Sequence, residues 1–404
     1  MIDREKSVSV IGLGYIGLPT AALLASEGYM VKGMDVSKHA VKTINKGAIH
    51  IVEPDLDAYV RSAVANGKLK AYPELQAADI YIICVPTPFH TSSELPKPNM
   101  DYVREAAKSI SSHVKAGDIV ILESTSPVGT TQMVRDILQK SGADTSAIFI
   151  AYCPERVLPG KIMSELVDNA RVIGGINTQS TEVVAAFYGT FVNGEILKTE
   201  AKTAEMCKLT ENSFRDVNIA FANELSVLCD NNGTDVWELI ELANHHPRVD
   251  ILKPGTGVGG HCIAVDPWFI VSQDPENSRI IKTAREINDS KPEWVVDKIK
   301  AMAESISTKK IACLGLAFKP DIDDLRESPA VRVVESLLEQ GYDAFCVEPN
   351  INEHKKYNLI DIKKAIAEFD VIALLVKHEE FTSRMTMAEL ENKGALDFCG
   401  TFVK

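Results

Sequence analysis

One stretch of the sequence joins a nucleophile to a backbone that could present it: Gly255-Thr256-Gly257-Val258-Gly259-Gly260-His261-Cys262-Ile263-Ala264-Val265-Asp266-Pro267. Four glycines precede one cysteine, and a glycine cluster marks backbone that bends sharply or comes close to a ligand. A thiol on such a loop can be reached by a substrate, and a thiolate adds to carbonyl carbons. If a helix begins at Cys262, the i, i+4 spacing sets Asp266 beside it. The plainer alternative is a small buried cysteine, the commoner fate of a free thiol. A second candidate pair, Lys208 and Asn212, is also four residues apart and shares a helix face. Most helix lysines are solvated, so spacing alone does not single out Lys208.

The elements that must carry these groups follow an α/β rhythm. Ser7-Val8-Ser9-Val10-Ile11 predicts a strand, Gly12-Leu13-Gly14-Tyr15-Ile16-Gly17 a tight turn, and Leu18 to Ala25 an apolar helix. Tyr29 to Asp35 predicts the second strand. A G-x-G-x-x-G turn between strand and helix, with an acid closing the next strand, is a dinucleotide fingerprint. Gly12 permits the turn, Gly14 lets backbone N–H groups approach a pyrophosphate, and Gly17 lets helix pack on strand. The helix N-terminus adds positive partial charge. Asp35 would accept from a ribose diol and repel a 2′-phosphate, which favours NAD over NADP. Further buried strands are expected over Asp79–Val85, Asp118–Glu123 and Ala147–Tyr152. They end in Pro86-Thr87-Pro88, in Ser124 to Thr130, and in Cys153-Pro154-Glu155-Arg156. Ligands of doubly wound sheets bind beyond the carboxyl ends of the strands, which makes Thr87, Thr125 and Glu155 candidates.

From Thr203 through Asn231 neither proline nor glycine occurs. Met206, Leu209, Phe214, Val217, Phe221, Leu225 and Leu228 recur there at helical spacing, predicting one long helix. A shorter helix is expected over Asp235–Asn244, ending at the His245-His246 doublet. After the glycine loop, Asn277 to about Ser307 predicts mostly helix. Lys310–Lys319, Asp343–Glu348 and Asp370–Val376 predict the strands of a second α/β unit, a diverged copy of the first. This copy lacks the glycine fingerprint and is expected to bind something other than a dinucleotide. Lys319 and Arg326 at its strand end could hold phosphates. The fold class expected is therefore α/β, with two Rossmann-like doubly wound parallel-sheet domains joined by a long central helix and a helical domain. The boundaries expected are 1–198, 199–305 and 306–404.

Composition narrows the function. The chain has 404 residues, 45% hydrophobic and 25% charged, the balance of a soluble globular protein of two or three domains. A formal net charge of -13 argues against a nucleic-acid binder, which would show a basic patch. No apolar run approaches the ~20 residues that span a bilayer, so no membrane insertion is expected. The eight cysteines are scattered without a C-x-x-C pair, which predicts reduced, cytoplasmic usage and no metal site.

Together these segments resemble the UDP-glucose/GDP-mannose 6-dehydrogenase family over nearly the whole chain, and within it the branch acting on UDP-N-acetyl-D-mannosamine. The resemblance is carried by Ala151 to Gly160, Thr203 to Asp216, Val258 to Phe269, Gly315 to Pro320 and Leu325 to Pro329. It implies an NAD domain, a central helix that forms a homodimer, and a C-terminal domain for a UDP-sugar. It also implies a four-electron oxidation of a primary alcohol to a carboxylate, with two NAD consumed. By position it makes Cys262 the nucleophile, Lys208 and Asp266 its charged neighbours, and Asn212 an orienting group. Thr125 and Glu155 would handle water and proton transfer. Gly12, Gly14, Tyr15, Ile16, Gly17, Asp35, Pro86, Thr87, Thr125 and Arg326 would bind the cofactor. Arg156, Lys208, Asn212, Gly259 and Lys319 would meet the substrate, as would Arg248 from the neighbouring subunit. Two positions depart from the UDP-glucose branch: His261 replaces a Tyr or Ser, and Pro159 replaces a second glutamate.

Overall fold

The structure, a computed structural model, describes residues 4–90, 95–260 and 262–403. His261 lies outside the described residues. The chain divides into two compact units, Met1–Thr210 and Glu211–Lys404.

The first unit is built on an eight-stranded sheet. Its strands are β1 (Ser7–Ile11), β2 (Met30–Met34), β3 (Leu69–Tyr72), β4 (Ile80–Ile83), β7 (Ile119–Leu122), β8 (Phe149–Tyr152), β9 (Arg171–Gly175) and β10 (Ile196–Glu200). A separate hairpin pairs β5 (Phe89–His90) with β6 (Lys97–Pro98). The sheet order is β10-β9-β8-β7-β4-β1-β2-β3. The central strands are runs of Val and Ile buried on both faces, as a sheet covered by helices on both sides requires. The expected parallel sheet holds from β3 to β8. Beyond it β9 pairs antiparallel to β8, and β10 parallel to β9, so the last two strands run the other way.

The second unit carries a five-stranded parallel sheet ordered β13-β12-β11-β14-β15. Its strands are β11 (Lys310–Leu314), β12 (Asp343–Val347), β13 (Asn358–Leu359), β14 (Val371–Leu374) and β15 (Leu396–Asp397). β11 lies between β12 and β14 as β1 lies between β2 and β4, so the two units repeat one topology. Even the turn repeats. Gly12 donates its N–H to Met34 at 2.8 Å and Gly315 donates to Val347 at 2.8 Å, with φ of +89° and +92°.

One helix, Ala201–Asn232, runs 32 residues across the boundary between the units. Its apolar residues, which recur at helical spacing, divide between two faces. Leu209, Ala220 and Ala222 are buried, whereas Phe214, Phe221 and Leu228 stand 67%, 51% and 49% exposed. Those three are seven residues apart, a seam and not a scatter. No helix among the described residues is long and apolar enough to cross a membrane.

Candidate functional site

In the first unit the glycine turn has the shape its sequence suggests. A Cβ at Gly12 would lie 2.7 Å from the Cys84 carbonyl oxygen, and one at Gly17 only 1.8 Å from that of Gly12. Gly14 differs: nothing lies within 4 Å of where its Cβ would be. Two glycines are needed by the fold, and the third leaves open space beside the N-terminus of the helix Gly17–Ser26, next to Tyr15 and Ile16. Asp35 is tied to the same turn, accepting from Leu13 N–H at 2.9 Å through Oδ2 and from Ser37 N–H at 2.8 Å through Oδ1. An open backbone cradle with a carboxylate at its rim fits a dinucleotide.

Pro86 is exposed and Thr87 half-buried past β4, and Thr125 is half-buried past β7. The segment after Thr125 is anchored by a residue whose role the sequence did not signal. Glu205, fully buried on the long helix, accepts from Gly129 N–H at 2.6 Å, Thr131 N–H at 2.7 Å and Thr131 Oγ1 at 2.6 Å. This fixes the Thr125 segment against the turn of helix that precedes Lys208.

Glu155 opens onto a buried charge cluster, also unforeseen. Its Oε2 accepts from Val157 N–H at 2.7 Å, and its Oε1 stands 4.0 Å from Arg171 Nη1. Arg171 is 2% exposed and lies over the Tyr188 ring, whose hydroxyl donates to Glu123 Oε1 at 2.5 Å. Cys84 Sγ donates to the other Glu123 oxygen at 3.2 Å. Burial raises the Glu155 carboxyl above its ordinary range, with Arg171 and Lys208 pulling it back. Burial likewise pushes the neighbouring Cys153 thiol up to about 12, which leaves it inert. Arg156 donates to the Ala170 carbonyl at 3.2 Å. Pro159 sits in an exposed turn that Glu53 pins by accepting from Gly160 and Ile162 N–H at 2.9 and 2.8 Å.

In the second unit Cys262 is exposed, unlike the buried Cys229, Cys313 and Cys346. The helix expected from the cysteine starts later, at Asp266, but Asp266 N–H donates to the Cys262 carbonyl at 2.8 Å and closes one turn between them. Asp266 is 2% exposed and accepts from Asn212 Nδ2 at 2.5 Å. That bond joins the thiol loop to the face of the long helix that also bears Lys208.

The loop glycines serve the loop's own packing. A Cβ at Gly259 would meet the Glu327 carbonyl at 2.4 Å, one at Gly260 the Phe318 ring at 2.8 Å, and one at Gly257 the Asn288 carbonyl at 3.0 Å. Gly259 is thus a close-packing position, and the thiol loop lies against the segment that follows β11. A buried polar chain holds the start of the loop. Arg285 and Asn288 donate to Asp216 at 2.6 and 2.8 Å, Asn223 donates to Asn288 at 2.9 Å, and Gly255 N–H donates to Asn223 at 2.9 Å. Polar residues spaced within two helices carry no sequence signature for such a chain.

Lys319 is half-buried in the turn after β11, directly beyond Phe318. Arg326 is held bidentate by Asp324 at 2.8 and 2.6 Å. Arg248 is exposed in the turn after the helix Val236–Asn244. No group of three or more metal-ligating side chains occurs among the described residues.

Three consecutive segments match one family. Residues 6–192 match its NAD binding domain, 202–290 its central domain and 312–401 its UDP binding domain. A UDP-N-acetyl-D-mannosamine dehydrogenase from Yersinia pestis is 55% identical over 399 residues, covering 93% of this chain and 94% of that protein. An NDP-N-acetyl-D-galactosaminuronic acid dehydrogenase from Ralstonia nicotianae (strain ATCC BAA-1114 / GMI1000) is 49% identical over 409 residues, covering 98% and 96%. The solved UDP-D-ManNAc dehydrogenase of Pyrococcus horikoshii superposes with a TM-score of 0.89 at 37% identity, covering 98% of this chain and 96% of that one. The chain belongs to the UDP-glucose/GDP-mannose dehydrogenase family and is an NAD-dependent dehydrogenase of sugar nucleotides.

Proposed function

We propose that the chain oxidises the C6 hydroxyl of UDP-N-acetyl-D-mannosamine to the carboxylate, for a surface-polysaccharide precursor. The observation that carries the chemistry is the exposed Cys262 thiol, one turn from an Asp266 that Asn212 holds. NAD, when bound, would supply the hydride acceptor for each of the two oxidations. Between them Cys262 adds to the C6 aldehyde as a thiohemiacetal. Loss of the second hydride and a proton leaves a thioester, which water cleaves to carboxylate and thiolate. Lys208 stabilises the oxyanion at each tetrahedral stage. Asn212 and Asp266 orient the attacking groups. Glu155, with Thr125, accepts the proton from water.

Gly12, Gly14, Tyr15, Ile16, Gly17 and Asp35 would hold the cofactor, with Pro86, Thr87, Thr125 and Arg326 as its further contacts. Arg156, Gly259 and Lys319 contact the UDP-sugar. The division 1–198, 199–305 and 306–404 then reads as cofactor, dimerisation and nucleotide-sugar domains. The Phe214, Phe221 and Leu228 seam supports a homodimer in which Arg248 reaches the neighbouring site, and the scattered thiols without a C-x-x-C pair support a cytoplasmic location. Sedimentation at micromolar concentration should give a dimer, and a monomer counts against it.

The test counts NADH per sugar for UDP-N-acetylmannosamine, UDP-N-acetylgalactosamine, UDP-N-acetylglucosamine, UDP-glucose and GDP-mannose side by side. Two NADH from UDP-N-acetylmannosamine, at the highest kcat/KM of the set, is the expected result. Preference for the galacto sugar would move the chain toward the Ralstonia enzyme's activity. One NADH would indicate a two-electron hydroxy-acid-type dehydrogenase, and none a nucleotide-sugar sensor.

The Glu155 cluster makes a pH prediction. If Glu155 is the base, it must be ionised, so turnover rises with pH through its raised pKa. Arg171→Met removes the opposing cation and should move the acid limb of kcat to higher pH. Arg171→Lys should move it less. An unshifted limb in Arg171→Met separates Glu155 from the rate.

A further inference from the structure

The second unit spends its strand-end carboxylate on its own backbone. Glu348 stands at the end of β12 where Asp35 stands at the end of β2, and it accepts from the equivalent turn. Leu316 N–H donates to its Oε2 at 2.7 Å and Ala317 N–H at 3.0 Å. His378, fully buried just past β14, lies against the same oxygen with Nε2 at 3.1 Å. The other face of that imidazole accepts from Asp321 N–H, at 3.0 Å from Nδ1. A backbone N–H can only donate, so Nδ1 is the acceptor and Nε2 carries the proton given to Glu348. Asp321 continues the chain by accepting from Glu379 N–H at 2.8 Å. Its φ of +61° is uncommon for a residue with a Cβ, and the imidazole bond helps hold it there.

Lys319 therefore lies between two anchored points, Ala317 and Asp321, both fastened to one imidazole–carboxylate pair. We propose that His378 is a positioning residue for the UDP-sugar, holding the 315–321 turn so that Lys319 meets the substrate in one fixed place. This rests on the reading that Lys319 grips the nucleotide sugar. A histidine that only filled the core would, when removed, lower stability and the active fraction, and so the apparent kcat, with both KM values unchanged. A positioning histidine affects one substrate and spares the other.

The experiment compares His378→Ala, His378→Asn and His378→Gln in the full chain, measuring KM for each substrate, kcat, and binding of UDP alone by calorimetry. Expected for His378→Ala is a rise of about tenfold or more in the UDP-sugar KM and the UDP Kd, with NAD KM and saturated kcat within about twofold. Asparagine, whose amide oxygen reaches the Nδ1 position and keeps the bond to Asp321, should recover most of the affinity. Glutamine keeps only the Glu348 side and should recover less. Unchanged UDP affinity in His378→Ala, or a rise in the NAD KM equal to that in the UDP-sugar KM, overturns the inference. If the alanine variant does not fold, the order of asparagine and glutamine decides, and the reverse order overturns it. Lys319→Met is run alongside. If it leaves UDP affinity intact, the Lys319 reading fails and takes this inference with it. If it weakens UDP while His378→Ala does not, the inference alone fails.

Discussion

Replacing Cys262 with alanine should end carboxylate production, with turnover to the acid down by more than about four orders of magnitude, the scale of losing a covalent nucleophile. The thiol is not among the groups proposed to hold the cofactor, Gly12 to Gly17 and Asp35, so NAD affinity should stay within about twofold. Cys262→Ser should fare little better, because a hydroxyl at neutral pH is a poor nucleophile without an adjacent base. The measurement is NADH released per sugar, together with a mass shift for the thioester when water attack is slow. An alanine variant that still yields two NADH per sugar at a near-normal rate sinks the covalent route.

Lys208→Ala should lower kcat by roughly a hundredfold to a thousandfold, the usual cost of removing one donor from a developing oxyanion. The side chain sits one helical turn before Asn212, which bonds to Asp266, so its ammonium belongs to the same helix face. NAD affinity should be little changed. A second readout separates charge from shape: the rate of Cys262 alkylation against pH should shift to higher pH in Lys208→Ala, since a lost cation disfavours the thiolate. A variant altered only in KM would make Lys208 a binding residue.

Much of this was legible in the sequence where periodicity and glycine coincide. β1, β4, β7 and the turn between Gly12 and Gly17 stand out because buried parallel strands are short runs rich in Val and Ile and the turn requires glycine at Gly12 and Gly17. β9 and β10 did not stand out. Arg171-Val172-Ile173-Gly174-Gly175 opens on an arginine and closes on glycines, and β10 is a mostly exposed edge strand. Their reversed direction depends on tertiary packing that no local pattern encodes. The long helix was plain, but not that its apolar residues serve two faces. At the site, residue type and spacing drew attention to Cys262 with Asp266 and paired Lys208 with Asn212, while only the family resemblance gave Lys208 and Asn212 a role. The residues that hold the neighbouring segments, Glu205 at Gly129 and Thr131, Arg171 at Glu155, Asn223 at Gly255 and His378 at Asp321, are lone polar side chains whose purpose appears only once distant segments meet. The glycines before Cys262 had looked like room for a sugar, and at least three of them are room for the protein.

The paired turns at Gly12 and Gly315 bear on competition. A duplicated strand–turn–helix unit would leave one chain with two cradles of nearly the same backbone shape, each able to draw on the same pool of dinucleotide. Ala317 fills the position where Gly14 leaves space, and Glu348, beyond the Leu316 contact that matches Leu13 at Asp35, also accepts from Ala317 N–H and His378. The second cradle is its own tenant. NAD should therefore saturate at one molecule per chain and should not displace the sugar nucleotide, however far the cofactor outnumbers it.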